Sequence, residues 1–143
     1  MKPGTISSGN RETRKAGETH AARTRRAAGR IIGAAIEVHR QLGPGFIESI
    51  YENALVYELQ NRGLKVEQQL EVPIIYDAKI EVGKHRLDLL VENEIVIDMK
   101  AISELLAIHF AIVKSQLRAV KRKHGLLLNF AKVTLEAKRV ISE

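Results

Sequence analysis

Apolar residues recur along the chain with two different periods, which separate helical segments from strands. From about Arg30 the spacing is helical until Gly43-Pro44-Gly45 ends the first helix. The later segments are a helix over Ile47 to Asn61, strands over Leu64 to Tyr76, Lys79 to Val91 and Glu94 to Ile102, a helix over Glu104 to Lys121, and strands over Gly125 to Phe130 and Thr134 to Ile141. The pattern predicts one α/β (α+β) domain over residues 29–143 with element order ααβββαββ.

The first segment of the chain has a different composition. Residues 1–28 contain almost no large apolar side chains, which predicts a disordered tail. Eight basic and two acidic side chains in residues 1–30 account for the whole net charge of +6, so the rest of the chain is neutral. A basic tail can contact nucleic acid nonspecifically, but a solvated leader or a misplaced start codon explains it equally well.

Composition excludes several classes of protein and of site. The chain has 143 residues and no cysteine, which excludes a disulfide framework, thiolate catalysis and metal sites with sulfur ligands. No apolar run approaches the ~18 residues of a membrane span, and the N-terminus does not resemble a signal peptide. We therefore expect a soluble, cytoplasmic protein that does not bind membranes.

Two neighbouring strands carry charged residues inside apolar runs. Asp98 and Lys100 share one face of their strand because strand side chains alternate with a period of two. If the preceding hairpin is symmetric about Asn93, Asp88 lies directly opposite Asp98. Facing carboxylates are unfavourable unless positive charge separates them, and oxygen ligands favour Mg²⁺ or Mn²⁺. The alternative is a buried Asp–Lys salt bridge with Asp88 at the edge of a turn.

A third carboxylate, Glu48, is predicted on the inward stripe of the second helix, together with Tyr51 and Leu55. It could face the same metal ion or a metal-bound water. Equally, a glutamate in the first turn suits the helix dipole without any further role.

A basic stripe is predicted on the long helix. The four residues follow an i, i+4, i+7, i+8 spacing and are Lys114, Arg118, Lys121 and Arg122. Such a stripe suits contacts with phosphates, whereas the simpler interpretation is a solvated helix face. His39 and His109 are interpreted as packing residues.

Several of these motifs together resemble the GxxExxY proteins, a branch of the PD-(D/E)XK nuclease superfamily. The resemblance runs from about Arg30 to Ile141 and is carried by residues 39–45, the Gly-Phe-Ile-Glu-Ser-Ile-Tyr sequence at 45–51, Asp88, the Asp-Met-Lys sequence at 98–100, and residues 125–130. It implies a mixed central sheet flanked by helices, with a restriction-endonuclease-like core. It also implies that Asp88, Asp98 and the backbone carbonyl of Met99 bind Mg²⁺, that Glu48 completes the outer shell, and that Lys100 positions or activates the attacking water.

The resemblance implies metal-assisted hydrolysis of phosphodiester bonds in nucleic acid, with DNA the first expectation. The chain departs from the family in having Asp98 where Glu is usual, and Ile112 and Gln116 where relatives commonly have Gln and Tyr. A second hypothesis is therefore a weakly active or inactive module that binds nucleic acid or a protein partner. A small domain with exposed strands is also compatible with a homodimer.

Overall fold

The computed structural model describes residues 17–142, which form three helices and five strands in the predicted order. The elements are α1 (His20–Leu42), α2 (Glu48–Asn61), β1 (Val66–Tyr76), β2 (Ile80–Val91), β3 (Ile95–Lys100), α3 (Ala107–Val120), β4 (His124–Asn129) and β5 (Glu136–Ile141). This order and the mixed sheet confirm the predicted fold class. None of the helices within these residues combines the length and hydropathy that a membrane span requires.

The strands form one sheet in the order β1-β2-β3-β4-β5. Neighbouring strands are antiparallel except β3 and β4, which are parallel and pair from Ile95 with His124 to Lys100 with Asn129. A parallel pair needs a crossover connection, and α3 provides it. The C-terminal end of α3 is therefore level with the beginning of β3, and its N-terminal end lies towards the end of β3, where Asp98 and Lys100 are located.

The sheet buries both of its faces. On one face, Ile95, Ile97 and Met99 of β3 pack with residues of α1 and α2. On the other face, Val96 packs with residues of α3. Because Asp98 and Lys100 share the parity of Val96 along β3, both are on the α3 side of the sheet.

Gly125 lets α3 approach the sheet closely. A Cβ atom at this position would lie 2.9 Å from Cγ1 of Val113 and 3.3 Å from the carbonyl oxygen of Val96. Any larger residue would push α3 away from β3 and β4, and so away from the edge of the site.

The predicted disordered tail was extended too far, because α1 already begins at His20. The Thr19 side chain caps the helix by accepting a hydrogen bond of 3.0 Å from the Ala22 N–H, and Thr24 and Ala28 are buried. Alanine and arginine are strong helix formers, so this segment folds and packs without the large apolar residues that would have revealed it. The expectation of disorder for residues 1–16 lies outside the described residues.

Candidate active site

Asp88 and Asp98 face each other where β2 and β3 separate. The three-residue turn of Glu92, Asn93 and Glu94 pairs Val91 with Ile95, as predicted, and the backbone ladder ends at the Leu89–Ile97 pair. One residue further along each strand lie Asp88 and Asp98. There a side-chain hydrogen bond replaces the backbone hydrogen bonds of the ladder. The Asp88 carboxylate accepts it from the backbone N–H of Met99 at 2.8 Å.

Lys100 lies beside Asp98, on the same face of β3. Its Nζ donates a hydrogen bond of 2.9 Å to Oδ1 of Asp98, whose side chain is only 6% exposed. The lysine side chain is itself mostly buried. The structure thus brings together the two acids and the lysine that the strand period predicted.

This cluster holds more negative than positive charge. Burial and the facing carboxylate of Asp98 together raise the pKa of Asp88 to about 6, against the Met99 hydrogen bond and the Lys100 charge. Burial opposes the charged form of Lys100, but the hydrogen bond with Asp98 and the charges of Asp98, Glu48 and Asp88 outweigh it and raise its pKa. The cluster therefore favours an additional cation.

Glu48 is the first residue of α2, and its charge helps to raise the pKa of Lys100. It continues the stripe of Tyr51 and Leu55, as predicted, but those two side chains are buried whereas Glu48 is exposed. The stripe extends past the edge of the core at this point. Glu48 therefore adds negative charge that acts on Lys100 from an exposed position.

The chemistry of these side chains fits Mg²⁺ or Mn²⁺. Such ions are commonly held by one or two carboxylates, with water and substrate phosphates filling the other positions. Asp88 and Asp98 would supply the two carboxylates. Within residues 17–142 no group of three or more acidic or histidine side chains is close enough to enclose a metal ion alone, so Glu48 does not complete such a set.

A second buried carboxylate, Glu52, lies one helical turn beyond Glu48 and was not predicted from the sequence. We call Glu52 and the two glutamines that bind it, Gln68 and Gln69, the Glu52 cluster. Glu52 is only 6% exposed and accepts hydrogen bonds from the side-chain amides of Gln68, at 2.7 Å, and Gln69, at 2.8 and 3.0 Å. The signal available in the sequence was a glutamate between Tyr51 and Leu55 on the buried stripe of α2.

The Glu52 cluster adjoins Asp88 through the β1–β2 ladder. Gln69 has a left-handed backbone, with φ of 54°, and lies opposite Asp88, between the Gln68–Leu89 and Leu70–Leu87 pairs. Leu87 and Leu89 would share a face in a regular strand, yet they pack into the cores on opposite faces of the sheet. At Gln69 and Asp88 the side chains of the two strands change the face of the sheet that they occupy, and we call this change the β1–β2 twist. Glu52 binds the Gln69 side chain on one side of this twist.

The predicted basic stripe is only partly present as one surface. Lys114, Arg118 and Lys121 are exposed, but Arg122 is half-buried and donates to the backbone carbonyl and the side-chain oxygen of Asn93, at 2.7 and 3.1 Å. Arg122 therefore ties the end of α3 to the β2–β3 turn. These contacts occupy the Arg122 guanidinium, and its role as a phosphate contact stays a prediction.

The two histidines have structural partners. His39 is buried, and its Nε2 donates to the carbonyl of Lys132 at 2.8 Å. His109 caps α3, because its Nδ1 accepts the backbone N–H of Leu106 at 2.8 Å. These contacts agree with their interpretation as packing residues.

The two unusual residues of α3 differ in their surroundings. Ile112 is exposed. Because its side chain is apolar, it forms no hydrogen bond at the position where relatives commonly have Gln. Gln116 is buried, and its side-chain oxygen has no hydrogen-bond partner within the described residues.

Comparison with known proteins gives one family match. A family model for the PD-(D/E)XK nuclease superfamily matches residues 25–140, a range that contains both carboxylate clusters and Lys100. Neither the curated proteins nor the solved structures give a significant match. By the family model, the chain belongs to the PD-(D/E)XK nuclease superfamily.

Proposed function

We propose that the protein is a metal-dependent nuclease of the GxxExxY branch, which hydrolyses phosphodiester bonds of nucleic acid, with DNA the first substrate to test. The observation that carries the proposal is the pair of facing carboxylates, Asp88 and Asp98, with Lys100 2.9 Å from one of them. The branch is supported by the Gly45, Glu48 and Tyr51 spacing.

Asp88 and Asp98 would hold Mg²⁺ or Mn²⁺, which polarises the scissile phosphate and lowers the pKa of a bound water. The Met99 carbonyl is proposed as a further ligand because it lies between Asp98 and Lys100. The Met99 N–H helps orient the site, since it fixes the Asp88 carboxylate at 2.8 Å. Glu48 reaches the same region from the solvent side, where it can hold a water molecule.

Lys100 supplies positive charge where the reaction develops negative charge. Its ammonium group is held in place by Asp98, so it does not have to be reoriented when a phosphate arrives. A fixed cation beside a pentavalent phosphorus stabilises the added charge on the phosphoryl oxygens. Lys114, Arg118 and Lys121 are proposed contacts for the nucleic-acid backbone beyond the cleavage site.

A binding module without catalysis is the second candidate. The observation that favours it is Ile112, whose exposed apolar side chain cannot make the hydrogen bonds of the family's usual Gln. This candidate predicts that nucleic acid binds equally well with and without a chelator.

Cleavage of single- and double-stranded DNA and RNA in Mg²⁺, Mn²⁺ or EDTA tests the proposal. We expect wild-type cleavage that EDTA abolishes, and none with Asp98→Ala. Glu71→Ala is the matched control, because Glu71 is an exposed carboxylate on β1. A folded wild type that cuts nothing would favour the binding module, and cutting that survives Asp98→Ala would place the chemistry elsewhere.

A further inference from the structure

A row of aromatic rings leads from the interior of the domain to the edge of the candidate active site. The Phe130 ring stacks on Tyr51, with centroids 4.5 Å apart, and Tyr51 meets Phe46 edge-on at 6.0 Å. Phe130 and Tyr51 are fully buried, but Phe46 is 44% exposed. The row therefore ends in a ring that is open to solvent.

Both ends of this row are connected to the site. The backbone N–H of Phe130 donates to the carbonyl oxygen of Lys100 at 2.9 Å. Phe46 is two residues before Glu48, whose charge acts on Lys100. The buried end of the row is thus hydrogen-bonded to the backbone of Lys100, and the exposed end is two residues from Glu48 in the chain.

The position of Phe46 is fixed by hydrogen bonds as well as by ring contacts. Its backbone N–H donates to the Tyr51 hydroxyl at 3.1 Å, and this hydroxyl donates to the Gly43 carbonyl at 2.6 Å. An exposed aromatic ring on a fixed backbone loses little entropy when a ligand stacks on it. Ile47, 68% exposed, and Ile50, 40% exposed, add apolar surface beside it.

We infer that Phe46 is a stacking platform for an unpaired nucleobase, so that the site takes single-stranded nucleic acid in preference to a duplex. The inference rests on the proposed function for the identity of the ligand. Single strands bind through base stacking on aromatic side chains, whereas the bases of a duplex are already stacked on each other. No charged group is needed for such a contact, which explains the apolar rim beside an acidic site.

The test is fluorescence anisotropy with labelled single-stranded and duplex DNA of one sequence, in Ca²⁺ and in EDTA, so that binding is measured apart from Mg²⁺-dependent cleavage. Phe46→Ala should raise the Kd for the single strand about tenfold, from the usual worth of one stacked base, and change the duplex Kd by less than about twofold. Phe46→Trp should restore single-strand binding, and Phe46→Leu, which keeps apolar packing on Tyr51, should not.

Tyr57→Ala is the matched control, since Tyr57 is an aromatic residue of α2 that is 64% exposed and lies more than two turns from Glu48. It should leave both Kd values unchanged. Equal loss of single-strand and duplex binding in Phe46→Ala, or full affinity in Phe46→Leu, would overturn the inference. If the platform effect appears but nothing is cut in Mg²⁺, the nuclease proposal fails alone; if cutting occurs and Phe46→Ala has no effect, the platform fails alone.

Discussion

The Glu52 cluster and the pair of Asp88 and Asp98 lie on either side of the β1–β2 twist, and their negative charges are compensated in different ways. Glu52 accepts hydrogen bonds from the neutral amides of Gln68 and Gln69, so its buried charge is compensated within the protein. Asp88 and Asp98 share a single lysine and oppose each other. Burial alone therefore does not distinguish a functional carboxylate from a structural one, whereas an unbalanced pair does.

The largest effect, on the rate of cleavage, is expected when Lys100, the lysine beside Asp88 and Asp98, loses its charge. Lys100→Met keeps the length of the side chain and removes its charge, and it should lower kcat by about 10²–10³-fold, the usual cost of losing one fixed group that stabilises transition-state charge. Single-turnover cleavage measures this loss. Lys84→Met, at an exposed lysine of β2, is the control, and equal rates for both variants would contradict the role of Lys100.

A smaller effect, on the free energy of unfolding, is expected at the Glu52 cluster. Glu52→Ala removes the acceptor of the Gln69 amide and one of the two acceptors of the Gln68 amide, which also donates to Asn53, and should reduce the free energy of unfolding by about 2–3 kcal/mol. Glu52→Gln, which keeps one acceptor, should cost less. Urea unfolding measures both, and wild-type stability in Glu52→Ala would show that this carboxylate does not hold the twist.

The smallest effect is the pH dependence of the metal-free protein. The pKa of Asp88 is raised from 3.8 to about 6, so the folded state binds this proton more tightly than the unfolded state does. Stability in EDTA should therefore fall as the pH rises from about 4 through 6, by about 1–2 kcal/mol after allowance for solvent screening at this half-buried side chain.

Asp88→Asn isolates this contribution, because the amide oxygen can still accept the Met99 N–H but does not titrate. Urea unfolding at several pH values should show a smaller loss of stability in Asp88→Asn than in wild type, although the histidines titrate in both. Glu71→Gln is the control and should retain the wild-type profile. Identical profiles for wild type and Asp88→Asn would mean that burial and the facing Asp98 do not raise the pKa of Asp88 in the folded protein.

The sequence was sufficient to predict the central pair because a short turn determines the register of a hairpin. The turn consists of Glu92, Asn93 and Glu94, the first two with a left-handed backbone, and Asp88 opposite Asp98 follows from counting along both strands from the Val91–Ile95 pair. Alternation along β3 then predicts the position of Lys100 in the same way.

The second cluster could not be predicted, because it depends on an irregular backbone at a residue that does not favour one. Gln69 is left-handed within a strand, and a glutamine gives no signal for this conformation. The contact that accompanies this conformation is tertiary, since Glu52, on a separate helix, binds the Gln69 side chain. The beginning of α1 was missed for a related reason. Ala28 is small and gives little hydrophobic signal in the sequence, and only the tertiary packing against the core buries it.

The most direct test of the account is Mn²⁺ binding, followed by the loss of the free-ion signal in electron paramagnetic resonance. Wild type should bind Mn²⁺, and Asp98→Asn should bind it at least about tenfold more weakly, since one of the two carboxylate ligands is lost. Glu71→Gln should bind as wild type does. Equal affinity in wild type and Asp98→Asn would contradict the claim that the facing carboxylates form the metal site.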